Sequence, residues 1–183
     1  RFLGCLCKVL LLFQLAAAET NHELGTLDKN KMEVIVQACG EILDGKLMDH
    51  FPLSVWQTGS GTQSNMNVNE VIANRCHVIL GGKMNDKIKK IHPNDDVNKS
   101  QSSNDTFPTA MNMSTYHILK SYTIPSLEKL NSTIKEKSKE FKNIVKIGRT
   151  HFMDATPLTL GNEFSGYASQ LENVIKNLKE ALP

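Results

Sequence analysis

Apolar side chains recur along this chain mostly at spacings of three and four residues, the period of an amphipathic helix. The pattern predicts a helix over residues 31–47, with an inward face of Met32, Ile35, Cys39, Ile42 and Leu43. It predicts a second helix over residues 65–80, with Val68, Val71, Ile72 and Ile79 inward and Gly81-Gly82 as its stop. Residues 54–57 between them are predicted to be short and extended, and residues 85–98 to be irregular.

A further helix is predicted from residue 104, where Asn104 or Asp105 can serve as the N-cap. Its buried face is predicted to contain Phe107, Met111, Ser114 or Thr115, and Ile118. Pro125 restarts or kinks the helix, which continues to about residue 142 through Leu127, Leu130, Ile134 and Phe141. A loop is predicted over residues 148–157.

The last helix carries the clearest pattern in the chain. Its apolar positions recur at alternating spacings of four and three, namely Phe164, Ala168, Leu171, Ile175, Leu178 and Leu182. This is a coiled-coil-like seam with a period of 3.5 residues. It implies burial by helices beyond residue 183, by partner subunits, or by both. The chain is therefore predicted to be mainly helical, with a domain boundary near residue 102.

Residues 2–18 are almost wholly apolar, with Lys8 as the one charged exception. Taken alone, the stretch resembles the apolar region of a signal peptide, and Ala16-Ala17-Ala18 resembles a cleavage site. Its length is marginal for a membrane span. The chain also starts at Arg1 rather than at Met, so the true N-terminus is expected to be missing.

Composition and charge narrow the function classes. Of the 183 residues, 40% are hydrophobic and 22% charged, which is typical of a folded protein. The net charge of +2 comes from dispersed Lys and Arg, which gives no argument for nucleic-acid binding. The four cysteines suit neither a zinc site nor a disulfide framework. Four glycosylation-type triplets begin at Asn98, Asn104, Asn112 and Asn131.

Three short polar clusters carry the candidate chemistry. The first, residues 59–65, is Gly-Ser-Gly-Thr-Gln-Ser-Asn; the second, residues 92–105, is His-Pro-Asn-Asp-Asp-Val-Asn-Lys-Ser-Gln-Ser-Ser-Asn-Asp; the third, residues 148–151, is Gly-Arg-Thr-His. Each cluster lies between a loop and an amphipathic helix. One capping side chain satisfies a helix start, so the surplus donors indicate a pocket for a small anion such as a dicarboxylate. Helix capping alone remains the alternative interpretation, and for His151 a purely structural role does too.

The three clusters closely resemble class II fumarase, a member of the fumarase/aspartase superfamily. The resemblance includes Met-Asn-Val-Asn-Glu at residues 66–70 and Asp-Ala-Thr-Pro-Leu-Thr-Leu-Gly at residues 154–161, and it runs from about residue 16 to the end. Aspartases typically have Gln where His151 stands and His where Asp96 stands. Both positions therefore favour fumarase.

The resemblance implies a role for each cluster. Ser60, Thr62 and Asn65 would bind one carboxylate and the hydroxyl of the substrate. Ser102, Ser103 and Asn104 would bind the other carboxylate. Thr150 and His151 would complete the catalytic site, with His151 holding the catalytic water. A second dicarboxylate site would use His92, Asn94 and Asp95, together with Lys89 where the family usually has arginine.

The implied function is the reversible hydration of fumarate to (S)-malate in the tricarboxylic acid cycle, through an aci-carboxylate carbanion. The resemblance implies no cofactor and no metal, no nucleic acid and no membrane. It implies a homotetramer whose sites are shared between subunits. The compartment it implies is the mitochondrial matrix, the cytoplasm, or both.

The resemblance also implies a domain division. Residues 16–101 would form the N-terminal, mostly helical lyase domain, and residues 102–183 the first long helices of a central helical bundle. The atypical residues 1–15 would be a mis-joined segment or a targeting segment. The family's catalytic serine loop, Gly-Ser-Ser-x-Met-Pro, does not occur in the chain.

The 183-residue polypeptide is therefore expected to be an N-terminal fragment that is inactive alone. One alternative is a truncated, non-catalytic product that binds fumarase subunits through the seam of residues 164–182. Another is a secreted glycoprotein.

Overall fold

A computed structural model describes residues 2–54 and 59–182 of the protein. The described residues form six α-helices and one two-stranded sheet. They divide into two compact units, residues 1–115 and residues 116–183. The mainly helical fold class is confirmed. Residues 55–57 of the predicted extended stretch lie outside the described residues.

The first unit begins with α1 (Phe2–Glu23), which supplies much of its core. The buried apolar side chains of α1 are Leu6, Val9, Leu10, Leu11 and Ala18. The helix packs against α2 (Lys29–Leu43) and α3 (Thr62–Ile79). Apolar side chains between residues 6 and 18 are thus used inside the unit. The two explanations for residues 1–15 stay predictions. Within the described part of the chain, no helix combines the length and the apolar character needed to cross a membrane.

The predicted helix over residues 31–47 is confirmed as α2, but its end was wrong by four residues. The helix stops at Leu43 because Gly45 adopts a φ of 92°. The Gly45 N–H donates to the Ile42 carbonyl, and the Lys46 N–H donates to the Glu41 carbonyl. This pair of hydrogen bonds is a Schellman ending, for which glycine is favoured.

The second predicted helix is confirmed as α3, although it starts at Thr62 rather than at residue 65. Gly61, with a φ of 69°, is the N-cap residue. The predicted stop is correct, since Gly81 has a φ of 83° and the Gly82 N–H donates to the His77 carbonyl. The buried face holds three polar side chains among the apolar ones: Asn65, Asn69 and His77.

The helix predicted from residue 104 is α4 (Ser103–Ile118), and its predicted cap was wrong. The Ser102 hydroxyl oxygen accepts the backbone N–H of Asn104 at 3.3 Å, so Ser102 caps the helix. Of the predicted buried face, Ser114 is confirmed, but the rest of the face is shifted. The buried residues are Thr106, Ala110 and Ser114, whereas Phe107 is half-buried and Met111 is exposed. Helix α4 packs against the core of the first unit through its own small side chains, because these permit a close approach of the helix.

In the second unit, α5 (Ile124–Glu140) and α6 (Leu160–Glu180) pack as an antiparallel pair. Ion pairs join Lys135 to Glu172 and Lys179 to Glu128. A π-helical turn precedes α5, and Pro125 lies at its start, as expected for a restarted helix. Of the predicted seam, Ala168 and Ile175 are buried, and the other four members are half-buried. Helix α5 therefore covers part of the seam by itself.

The loop predicted over residues 148–157 was wrong. These residues belong to an antiparallel hairpin of β1 (Val145–Thr150) and β2 (Met153–Thr159), with an irregularity between Lys146 and Gly148. Thr159 then starts α6 through reciprocal hydrogen bonds with Asn162. The hydrophobic pattern does not predict the hairpin, because apolar side chains of the hairpin such as Val145 are largely exposed. Backbone pairing rather than a buried face defines it.

The compact units divide between Thr115 and Tyr116, which lies inside α4. The domain boundary predicted at residues 101 and 102 stays a prediction.

Candidate functional site

The starts of α3 and α4 meet in the first unit, and they bring the first two polar clusters together. The Ser60 hydroxyl oxygen lies 3.3 Å from that of Thr62. The Thr62 hydroxyl oxygen in turn lies 3.4 Å from that of Ser103. Helix N-termini present free N–H groups and a positive dipole end. Three hydroxyls between two such termini form an environment that suits a carboxylate.

Gly61 makes this meeting sterically feasible. Its φ of 69° is left-handed, a conformation that costs other residues free energy. A Cβ atom at this position would lie only 2.0 Å from ring atoms of Phe107 in α4. Glycine is therefore required at position 61 for two reasons: the left-handed backbone disfavours other residues, and the aromatic ring occupies the space that a Cβ atom would need. This contact explains the glycine at position 61 of the first cluster.

The residues of the second cluster divide between structural and exposed positions. Ser102 caps α4, and its carbonyl accepts the hydroxyl of Thr106 at 3.0 Å. Ser103 directs its hydroxyl toward Thr62, and Asn104 is exposed in the first turn. The capping interpretation thus applies to Ser102, while Ser103 and Asn104 are the surplus donors that the sequence argument identified. Their roles in substrate binding stay predictions.

Asn65 differs from the other candidates because it is fully buried. Its side-chain N–H donates to the Asn98 amide oxygen at 3.0 Å, and its own amide oxygen accepts from Gln14 at 3.5 Å. Sequence reasoning missed Gln14, Asn98 and Gln101 as members of this network. One signal was available, since Gln14 is a lone amide in an otherwise apolar run.

Of the predicted second dicarboxylate site, Asn94 and Asp95 lie in a single π-helical turn, Pro93–Val97, and His92 is its N-cap residue. The His92 ring nitrogen Nδ1 accepts the backbone N–H groups of Asn94 at 3.3 Å and of Asp95 at 3.2 Å. The Asp95 carboxylate is 3.3 Å from the same nitrogen but largely exposed. Nδ1 cannot accept and donate at once, so the two backbone bonds place the ring proton on Nε2. Lys89 instead donates to the Met84 carbonyl.

Asp96 anchors this turn to the helical core. One carboxylate oxygen accepts the His92 backbone N–H at 2.8 Å, and the other lies 2.7 Å from the ammonium nitrogen of Lys31 in α2. Asp96, one of the two positions at which the chain resembles fumarases rather than aspartases, therefore has a structural role. It holds the start of the second cluster against the first unit.

Thr150 and His151 lie at the tip of the hairpin in the second unit. Thr150 pairs with Met153, so His151 and Phe152 form a two-residue loop. Their φ angles are 49° and 61°, as in the type I′ hairpin turn that normally selects Asn-Gly. Each left-handed residue costs about 1–2 kcal/mol. Such strain occurs at functional sites, but a type I′ turn requires it in any case, so the catalytic role of His151 stays a prediction.

Several titratable groups outside the three clusters have clear pKa shifts. The hydrogen bond from Arg75 lowers the pKa of the Glu41 carboxyl. Backbone donation from Lys83 and a hydrogen bond from His77 lower the pKa of the Asp86 carboxyl. Burial raises the pKa of the Cys39 thiol to about 12. Among the described residues, no group of three or more His, Cys, Asp and Glu side chains could hold a metal ion.

Two of the four glycosylation-type triplets begin at residues that the fold uses internally. The Asn98 amide bonds to Asn65, Asn69 and the Gln101 carbonyl, and Asn131 is buried. A glycan on Asn98 would break these hydrogen bonds. This geometry does not favour the secreted-glycoprotein alternative.

Comparison with known proteins gives a consistent result. A family model described as lyase matches residues 5–183. "Fumarate hydratase class II" of Haemophilus influenzae is 64% identical over 168 residues, which are 92% of this chain and 36% of that protein. The protein of the same name from Nitrosomonas europaea is 55% identical over all 183 residues and 39% of its own length.

Solved structures agree. The class II fumarase from Schistosoma mansoni has a TM-score of 0.81 at 43% identity, covering 100% of this chain and 38% of that one. The fumarate lyase:delta crystallin from Brucella melitensis has a TM-score of 0.85 at 42% identity, covering 98% and 41%. The resemblance to class II fumarase is thereby confirmed. The chain spans little more than a third of the length of the curated relatives it matches, at 36% and 39%.

Proposed function

The chain belongs to the lyase family, and from that membership we propose that the complete protein is a fumarate hydratase, which interconverts fumarate and (S)-malate. The observation that carries the proposal is the 3.4 Å approach of the Thr62 and Ser103 hydroxyls where two helices begin. Relatives 55–64% identical to the chain bear the name fumarate hydratase class II, which supports this substrate.

The chemistry follows from where negative charge develops. In the dehydrating direction, a base removes a weakly acidic proton from C3, and the electron pair moves into the adjacent carboxylate to give an aci-form. Preorganised hydrogen-bond donors around that carboxylate stabilise the carbanion. Ser60 and Thr62 would serve one carboxylate, and Ser103 and Asn104 the other. Asn65 and Ser102 are proposed to act in the same two groups.

His151, with Thr150 beside it, is proposed to hold the water that protonates the departing hydroxide. By resemblance, the base at C3 is the serine of the Gly-Ser-Ser-x-Met-Pro loop, a sequence that residues 1–183 do not contain. The proposed reaction requires neither a metal nor an organic cofactor. We also propose a homotetramer with shared sites, located in the mitochondrial matrix and/or the cytoplasm. His92, Asn94, Asp95 and Lys89 are proposed as a second dicarboxylate site.

The test uses the complete purified protein. Fumarate consumption is followed by its ultraviolet absorbance, and the malate formed is identified by chirality. Ser103→Ala removes a hydrogen bond to a charged group, which is worth about 1.5–3 kcal/mol. It should therefore lower kcat/KM by about 10- to 100-fold. Ser132→Ala, an exposed serine in α5, is the matched control and should leave kcat/KM unchanged.

Two results would count against the proposal. One is ammonia release from L-aspartate without any fumarate hydration, which would assign the protein to a sister activity. The other is an equal kcat/KM for the Ser103 and Ser132 variants. That outcome would remove the first and second clusters from the substrate site even if the protein hydrates fumarate.

A further inference from the structure

Four residues of the first unit form a closed hydrogen-bonded circuit, which we call the amide ring: Gln14, Asn65, Asn98 and Gln101. The Gln101 side chain donates to the Gln14 amide oxygen at 2.7 Å, and Gln14 donates to the Asn65 amide oxygen at 3.5 Å. Asn65 donates to the Asn98 amide oxygen at 3.0 Å, and Asn98 donates to the Gln101 backbone carbonyl at 3.0 Å. The circuit returns to the residue from which it started.

A single backbone group fixes the direction of the whole ring. The Gln101 carbonyl can only accept, so the NH₂ group of Asn98 must face it. The Asn98 amide oxygen then points to Asn65 and Asn69, both of which must donate. Asn65 consequently presents its oxygen to Gln14, and Gln14 presents its oxygen to Gln101. Every hydrogen bond runs in the same sense, an arrangement in which hydrogen bonds polarise one another.

The ring connects the two proposed carboxylate-binding groups. Asn65 lies in the first turn of α3, three positions after Thr62, and Gln101 immediately precedes Ser102. Gln14 reaches both from α1 and is fully buried. Its neighbours along the helix core, Leu10 and Leu11, are apolar and also buried. A buried amide among such residues is costly unless it is fully paired, and here the pairing spans both clusters.

We propose that Gln14 is a positioning residue for the hydration of fumarate, an inference that rests on the proposed function and takes α1, whose buried face forms part of the core, as a part of the working protein. Gln14 does not reach the reacting atoms. It acts through Asn65 and Gln101, and it fixes the start of α3 relative to the residue that precedes Ser102, so that the donors proposed for the two carboxylates of one four-carbon diacid keep a fixed arrangement. The specificity for substrate length therefore depends on a side chain in the core of the first unit.

The experiment substitutes Gln14→Met in the complete protein. Methionine keeps the length of the side chain but leaves the Asn65 oxygen and the Gln101 NH₂ group without partners. We expect kcat/KM for fumarate to fall at least 10-fold. Inhibition by malonate, succinate and glutarate is the specific readout, since these diacids differ only in length. The preference for succinate over the other two should fall at least threefold.

Leu11→Ala provides the matched control, because it creates a cavity in α1 near Gln14 without changing any member of the amide ring. It should lower the melting temperature and leave both kcat/KM and the diacid preference unchanged. Gln101→Met breaks the same link from the other end and should reproduce the change in diacid preference. It serves as the second variant in case Gln14→Met does not fold.

The outcomes distinguish failure of the proposed function from failure of the positioning role. An unmodified protein that does not hydrate fumarate would overturn the proposed function. An active protein whose Gln14→Met and Gln101→Met variants keep the diacid preference would overturn the positioning role alone. A loss of preference in Leu11→Ala equal to that in Gln14→Met would also overturn it, because any loosening of α1 would then suffice.

Discussion

The backbone of Gly61 lies against the ring of Phe107, so closely that a Cβ atom on Gly61 would be 2.0 Å from the ring. Gly61 belongs to the first cluster, and Phe107 lies in α4, two residues after the second cluster. Their contact places the start of α3 against the first turns of α4, where the hydroxyls of Thr62 and Ser103 meet. The candidate site therefore depends on the absence of a side chain at Gly61 as well as on the side chains of Thr62 and Ser103.

Gly61→Ala should destabilise the protein by about 2–4 kcal/mol, since the left-handed backbone costs about 1–2 kcal/mol and the displaced aromatic ring adds an overpacking cost. It should also lower kcat/KM for fumarate. Denaturant unfolding and steady-state kinetics measure the two effects. Gly40→Ala, a helical glycine with open space around its Cβ position, is the control and should be neutral or mildly stabilising. Equal stabilities for the two variants would contradict this prediction.

His151→Asn should reduce turnover by about 10²-fold or more if the imidazole takes part in acid–base chemistry. Asparagine tolerates the left-handed backbone of residue 151, so the folded structure should persist. Turnover of the complete protein and its thermal midpoint together separate chemistry from folding. An unchanged rate would assign His151 a structural role.

Phe152→Asn should stabilise the protein by about 1 kcal/mol, because asparagine adopts the left-handed conformation at lower cost than phenylalanine. Phe152 has a φ of 61° and a fully exposed ring, so little packing is lost. Denaturant unfolding of the two proteins measures the difference. Met153→Asn, at the neighbouring exposed strand position, should give no gain. A similar gain from both variants would show that removal of exposed apolar surface, rather than the turn, is responsible.

Asp86→Asn should lower stability at pH 7 and have less effect in acid. The Asp86 carboxylate accepts the Lys83 backbone N–H at 2.8 Å and the His77 ring N–H at 2.9 Å, and both lower its pKa below the usual value of an aspartate. A group whose pKa falls on folding stabilises the protein above its unfolded pKa. That contribution is lost as the pH drops through the folded pKa.

Urea unfolding at pH 7 and at pH 3 checks this prediction. The difference in midpoint between the unmodified protein and Asp86→Asn should shrink at the lower pH. A difference that stays constant would mean that the hydrogen-bond geometry matters and the charge does not. His77 is buried and donates to Asp86, so the variant also tests whether this contact holds residues 83–90 against α3.

The helices were predictable because their apolar residues repeat at helical spacing, and α2, α3 and α6 form where that pattern lies. Helix ends were less predictable. Gly45 terminates α2 through its left-handed conformation, whereas the pattern alone extended the helix to Leu47. In α4 the tertiary approach selects Ala110 and Ser114 over the larger Met111. Which face is buried thus depends on the neighbouring helix as well as on hydrophobicity.

The candidate site was predictable in its residue types and less so in its connections. Hydroxyls and amides before helices identified Thr62 and Ser103, which do approach each other. The hairpin at His151 was missed because its pairing is made by the backbone, and its side chains are exposed. The amide ring was missed because Gln14 and Gln101 are 87 positions apart. No local pattern encodes a contact between residues so distant in sequence.

That separation imposes an order on biosynthesis. During translation, α1 emerges from the ribosome well before Gln101 is synthesised, and folding proceeds as the chain emerges. Until then, α1 carries an apolar face and an amide whose final partner does not yet exist. Nascent chains arrested before residue 101 should therefore bind hydrophobic-peptide chaperones through α1, and chains arrested well beyond it should be released from them.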